Sequence, residues 1–145
     1  MFALQHNFHL PSQPLLHELL KNDFFTVTID RERALVHAVR TSVRFASAAE
    51  CDRIFAEVAR VLCVFDRSRL RLLVDLRDGP LTQDPSIEKS IGEHRKKIIG
   101  GFAKVAILVR TVAGGLQVTR HAREDGILRI PVFQTEENAR AFLDH

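Results

Sequence analysis

"LRLLVDL", residues 70–76, is the stretch that decides the fold. It is a nearly continuous apolar run, the pattern of a central strand covered on both faces rather than one half-exposed to water. "KVAILVR" (104–110) repeats the pattern. Between the two runs lie a polar turn, "RDGPLTQ", and a helix start. Asp84 is a good N-cap, and Pro85 suits the first helical position because its missing N–H would be unpaired there anyway. Buried strands separated by a helix imply parallel neighbours joined by a right-handed crossover.

Outward toward the N-terminus, Ser47 and Glu50 form a capping box, and Cys51, Ile54, Phe55, Val58, Val61, Leu62 and Phe65 recur at helical spacing as one apolar stripe. The polar turn "DRSR" ends this helix. "FFTVTID" (24–30) alternates apolar and polar residues, "DRER" makes a tight turn, and "ALVHAVRT" (34–41) follows, so the two strands form a hairpin. Residues 1–23 read as a separate N-terminal arm, broken by Pro11 and Pro14, with "LLHELL" (15–20) as a short amphipathic helix.

Outward toward the C-terminus, the helix from Pro85 carries Ile87, Ile91, Ile98 and Ile99 inward and Lys89, Arg95, Lys96 and Lys97 on its outer side, until Gly100-Gly101 stops it. Thr111 can cap a third helix running to about Glu124. "ILRIPVF" (127–133) reads as a strand, and Pro131, which cannot donate to a ladder, puts it at a sheet edge. Thr135 caps a last helix, with Ala139, Phe142 and Leu143 facing in and Glu136 and Glu137 in the first turn, where the helix dipole favours negative charge. The order is β-β-α-β-α-β-α-β-α: an α/β domain over residues 24–145, with a mixed sheet, helices and an opening antiparallel hairpin.

Composition narrows the classes. At 145 residues the chain suits one domain, and its 46 % apolar and 27 % charged residues are those of an ordinary globular protein. No apolar stretch approaches the ~20 residues needed to span a bilayer, so the chain is not expected to span a membrane. The first residues lack the basic and apolar regions of a signal peptide, so the expected compartment is the cytoplasm. Cys51 and Cys63 lie 12 residues apart on one helix, about 18 Å along its axis. They cannot pair, and both read as buried thiols. Nine Lys/Arg against four Asp/Glu between Glu88 and Arg129 give a local balance of +5, which reads as a mildly basic solvated face. With no Trp or Tyr, the stacking platforms of single-strand binders are missing, and no specific nucleic-acid partner is expected.

The element order, together with "LRLLVDLRD" (70–78), "GFAKVAILVRT" (101–111) and "IPVFQTEENARAFL" (130–143), resembles the SpoIIAA-like branch of the STAS superfamily. The resemblance implies a STAS-like, CRAL-TRIO-like fold and a non-enzymatic domain. Its anti-sigma factor antagonists exchange partners when a serine at a helix start is phosphorylated, in a pattern close to Asp-Ser-Ser-Gly. The corresponding stretch here is Asp84-Pro85-Ser86-Ile87, without the Gly. The resemblance also implies lipid-like ligands, through the CRAL-TRIO lipid-transfer domains, and nucleotide binding.

Candidate regulatory residues are therefore Ser86, Thr82 and Asp84. A phosphate on Ser86 would face free amides and the positive end of the helix dipole; the plainer reading is a small polar residue filling a first turn. Arg110, Thr111 and Gly114 form a candidate anion site, although Gly114-Gly115 equally suits close helix–sheet packing, and neither G-x-G-x-x-G nor G-x-x-x-x-G-K-[ST] is present. The seven histidines do not converge on the cysteines, so no metal site and no cofactor are expected. His121 near Glu124 or Asp125 is only local spacing, and no nucleophile elbow or H-E-x-x-H motif occurs. The expected function is a non-enzymatic regulatory or protein-binding module, a homodimer being one form. It would present the loop 78–86 and the following helix to a partner. The alternative is a binder of a lipid or other apolar or anionic small ligand. That alternative requires a cavity beneath the second and third helices, where a pure interaction module has a filled core.

Overall fold

A computed structural model describes residues 16–124, 126 and 130–145. The alternation at 24–30 becomes strand β2 (Phe25–Asp30), in which Phe25, Val27 and Ile29 are buried and Thr26, Thr28 and Asp30 are partly exposed. β2 pairs antiparallel with β3 (Leu35–Arg40), in register from Phe25↔Arg40 to Asp30↔Leu35. The two apolar runs become β4 (Arg71–Asp75) and β5 (Lys104–Leu108), each parallel to the strand before it. Leu72 and Leu73 point to opposite faces of the sheet and both are buried, as a doubly covered strand requires.

The segment 15–20 is not a helix. Its described part is strand β1 (Leu16–Lys21), antiparallel to β2. The ladder shifts register between Glu18 and Leu20. A bulge of this kind puts adjacent residues on the same side of a strand, and Leu19 and Leu20 both pack on the core. Two neighbouring leucines facing inward are what imitated a helical face. β1 is therefore an edge strand of the main sheet, while Pro11, Pro14 and the rest of 1–15 lie outside the described residues. At the other edge, the strand expected over 127–133 is confined to β6 (Val132–Phe133), with 127–129 outside the described residues. Pro131 precedes β6 and still serves the ladder with its carbonyl, which accepts from Ile107 N–H at 3.0 Å. The sheet is mixed and six-stranded, in sequential order from β1 to β6.

Four helices form, all starting near the expected caps: α1 (Ala48–Leu62), α2 (Pro85–Ile99), α3 (Val112–Glu124) and α4 (Glu136–Leu143). At α1, Ser47 Oγ accepts from Glu50 N–H, and Glu50 Oε1 returns to the N–H of Ala46, one residue earlier than in the usual box. Ser47→Ala is expected to lower stability by about 1 kcal/mol in a denaturant melt; an unchanged midpoint would show that water serves the Glu50 amide equally well. Thr135 caps α4 by accepting from Asn138 N–H at 3.2 Å.

A strictly sequential parallel order, with right-handed crossovers, places successive crossover helices on one face of the sheet. α1 and α2 do share a core there, with Val27, Ile29, Val36, Leu72, Ile54 and Leu62. α4 covers the opposite face, where Ala139 and Leu143 meet Leu35, Leu73, Ala106 and Leu108. The α1 stripe is buried as read, with Val61 and Phe65 at its margin. The thiols differ from the reading: Cys51 is buried, but Cys63, at the C-cap, is exposed. No helix among the described residues is long and apolar enough to cross a membrane.

Candidate functional site

The loops at the carboxyl ends of β3, β4 and β5 gather at one end of the sheet, the usual place for ligands in α/β folds. Asp75 ends β4 and turns back, accepting from Arg77 N–H at 3.0 Å, and Gly79 N–H donates to Leu76 carbonyl at 3.0 Å. The strap 76–84 is held from two sides. Arg44, before α1, donates to the Leu81 carbonyl at 2.6 Å; Arg110, after β5, pairs with Asp78 at 2.5 Å and donates to the Arg77 carbonyl. At Gly79 the strap lies close to its neighbours: a Cβ there would sit 3.3 Å from Cγ of Arg40 and 3.3 Å from the Leu76 carbonyl oxygen, a tight approach.

Beneath the strap a cavity of about 700 Å³ opens between α2 and α3. Its position follows from how each helix is held. α2 is drawn toward α1: Ser90 Oγ donates to Asp52 Oδ1 at 2.7 Å, His94 Nε2 meets the same oxygen at 2.7 Å, and the His94 ring stacks on Phe55. α3 is drawn the other way, because Gly115 lets it lie directly on Val109 and Val132 at the β5–β6 edge. The space left between them is floored by Val74, Ile107 and Val109 of the sheet and walled by Ile91, Ile98 and Ile99 of α2. On α3, Gly114, Gln117, Val118, His121 and Glu124 line it at helical spacing. The lining is mostly apolar with a smaller number of polar groups, as in most small-molecule sites. Lys89 and Arg95, read as outward, belong to this lining.

The expected regulatory residues sit at the strap's end. Asp84 caps α2, accepting from Ser86 N–H at 2.9 Å and Ile87 N–H at 3.4 Å, and the Ser86 hydroxyl donates to the same carboxylate oxygen at 2.7 Å. The Ser86 hydroxyl bond, then these backbone bonds, hold the Asp84 carboxyl below its ordinary range. A phosphate on Ser86 would meet that carboxylate as well as the helix amides. Thr82 lines the cavity. Arg110, Thr111 and Gly114 do come together at the cavity rim. Their groups are already engaged, however: Arg110 with Asp78, and the Thr111 hydroxyl with Gly114 N–H at 3.0 Å.

Three features escape sequence reading. Asp52, Ser90 and His94 contain the residue types of a hydrolytic triad. Here serine and histidine both contact the aspartate, so no base touches the serine; the cluster clamps α1 to α2. On the α4 face, Arg77 grips Asp75 with bonds of 3.1 and 2.8 Å and reaches Glu136 at 3.4 Å, and Glu136 pairs in turn with Arg140 at 2.8 Å. Burial alone would raise the Asp75 carboxyl, but the side-chain and backbone bonds from Arg77 outweigh it and hold it below its ordinary range. His37 lies among these charges with a buried, unpartnered Nε2, and burial, then Arg140, pushes its pKa down.

The third is Arg40, at the end of β3. It is only 7 % exposed and lines the cavity. Its guanidinium lies 4.5 Å from the Phe45 ring centre, with Phe24 and Phe25 slightly farther. Nη1 donates to the carbonyls of Phe24 and Thr41. A charged residue at a strand end reads as solvent-facing; only the tertiary approach of Phe45 and the strap buries it.

Among the described residues no three His, Cys, Asp or Glu side chains gather closely enough to hold a metal ion. The fold and site together define a mixed α/β domain with an apolar cavity between two crossover helices. Compared with known proteins, the chain matches no family model, no curated protein and no solved structure.

Proposed function

We propose that this domain is a non-catalytic binding module that takes up a ligand with a long apolar portion in the cavity between α2 and α3. The observation that carries the reading is the cavity itself. A pure interaction module needs no internal space, whereas about 700 Å³ under α2 and α3 is within the range of small-molecule sites. Its lining runs from Pro85 to Ile99, the whole of α2, about 21 Å at 1.5 Å per residue. A slot that long and that apolar suits an extended acyl chain, each buried methylene adding about 0.8 kcal/mol. The SpoIIAA-like STAS resemblance supports the same reading through its lipid-binding relatives. The partner-binding reading of loop 78–86 has less behind it: Leu81, 60 % exposed, is the one large apolar side chain the loop offers outward.

Val118→Trp tests the proposal. Val118 is a partly buried lining residue on α3, and a Trp there would occupy the slot without displacing a packed core side chain. With no native Trp or Tyr to report binding, displacement of the neutral apolar dye Nile red is the suitable readout. Wild type is expected to bind the dye and Val118→Trp to bind it at least about tenfold more weakly, at an undiminished melting temperature. Equal dye binding by both proteins would overturn the cavity as the binding site.

A further inference from the structure

We infer that Arg40 is the headgroup anchor of this cavity and that the ligand is accordingly a long-chain monocarboxylate rather than a neutral lipid. The inference rests on the cavity reading above and adds the charge and polarity of what enters. Arg40 is more than nine-tenths buried, and a buried arginine ordinarily comes with a carboxylate. Here none of the described residues supplies one. All its protein partners are neutral: three phenyl rings and two backbone carbonyls.

Both carbonyl bonds come from one nitrogen, Nη1. Among the described residues Nε and Nη2 have no protein acceptor, yet they are not sealed in the core, since His37 Nε2 is the sole buried, partnerless side-chain nitrogen or oxygen among those residues. These two nitrogens thus keep some accessible surface, and Arg40 is a lining residue of the cavity. Nε and one Nη together form the flat, two-donor edge that matches a carboxylate.

Two other lining arginines differ: Arg77 is held by Asp75 and Glu136, and Arg110 by Asp78. Burial lowers the Arg40 pKa to about 10, and the group stays charged at neutral pH. Phe24, Phe25 and Phe45 contact the group through their rings without neutralising it, and the strap passes close to its stem at Gly79. The arrangement is a fixed, desolvated cation at the head of an apolar slot. Its complement is an amphiphile with a compact planar anion and an unbranched tail.

The test compares myristate with tetradecanol, the same tail bearing a neutral head, as Nile red competitors for wild type and for Arg40→Gln and Arg40→Lys. Wild type is expected to prefer myristate by about 10- to 100-fold, the usual worth of hydrogen bonds to a charged group. Arg40→Gln is expected to abolish that preference and leave tetradecanol binding unchanged. Arg40→Lys keeps the charge but loses the two-donor edge, so it is expected to weaken myristate while retaining part of the preference; it also serves if the Gln variant does not fold. Equal binding of both ligands by wild type would overturn Arg40 as anchor yet leave the cavity reading standing, as would an undiminished preference in Arg40→Gln or unchanged myristate affinity in Arg40→Lys. Binding of neither ligand would remove the cavity reading and this inference with it.

Discussion

Leu73→Ala is expected to destabilise the domain by about 2–5 kcal/mol, lowering the melting temperature by roughly 10 °C. Leu73 has no exposed surface and sits mid-sheet on the α4 side, enclosed by Leu35, Ala106, Leu108 and Leu143. Truncation there opens a void in a filled layer, so the transfer cost and the cavity cost add. The same chemistry on the other face should be far milder. Ile91 is partly buried and already borders empty space between α2 and α3. Ile91→Ala enlarges an existing cavity and removes few contacts, and about 1 kcal/mol is expected. Denaturant melts of the two variants at equal slope would measure the contrast. Equal losses would mean the two faces are packed alike and that the space beneath the strap is not a stable feature of the fold.

Asp75→Ala carries the second large effect, about 1–3 kcal/mol at neutral pH. Asp75 is 6 % exposed and is the buried end of the chain Asp75–Arg77–Glu136–Arg140. The lower figure reflects Arg77, about one-third exposed, which can turn to water and Glu136 once released. The cluster also sets how the protein responds to acid. His37 has a folded pKa below its unfolded value near 6.5. As pH falls through 6.5 the unfolded chain therefore takes up the proton first, and stability declines until the folded value is passed. Asp75 and Glu136 are also lowered, the latter chiefly by its bond to Arg140. Their stabilisation is complete above about pH 4.5 and is lost as pH falls further. Melting temperature should thus drop in two stages on acidification. His37→Phe, which also removes the orphaned nitrogen, should abolish the first stage and leave the second. An unaltered slope between pH 7 and 5 in that variant would show that His37 does not titrate against folding.

How legible these features are in the chain depends on whether their causes are local. Helix starts were legible because a cap is a contact over three residues: Ser47, Asp84, Thr111 and Thr135 all accept the amides expected of them. The hairpin and the paired apolar runs were legible because burial on one face or two writes a period into the sequence. β1 was not, since the shift near Leu19 breaks the period of two and can be seen only against β2. The loop 78–86 was found as a turn and a cap, but its attachment to Arg44 and Arg110 spans more than 30 residues of chain. Arg40 was missed for the same reason: its burial comes from Phe45 and Gly79 rather than from neighbours in strand β3. The cavity is the least legible of all. It is the space left when Asp52, Ser90 and His94 pull one helix aside and Gly115 lets another settle on the sheet.

The central claim is that this space holds one apolar chain, and native mass spectrometry of the intact protein titrated with myristate tests it most directly. The expected spectrum shows a single adduct of one myristate per protein that saturates at one equivalent and is suppressed in Val118→Trp. A spectrum of unliganded protein at every myristate concentration, or adducts that accumulate without saturation equally in both proteins, would contradict it.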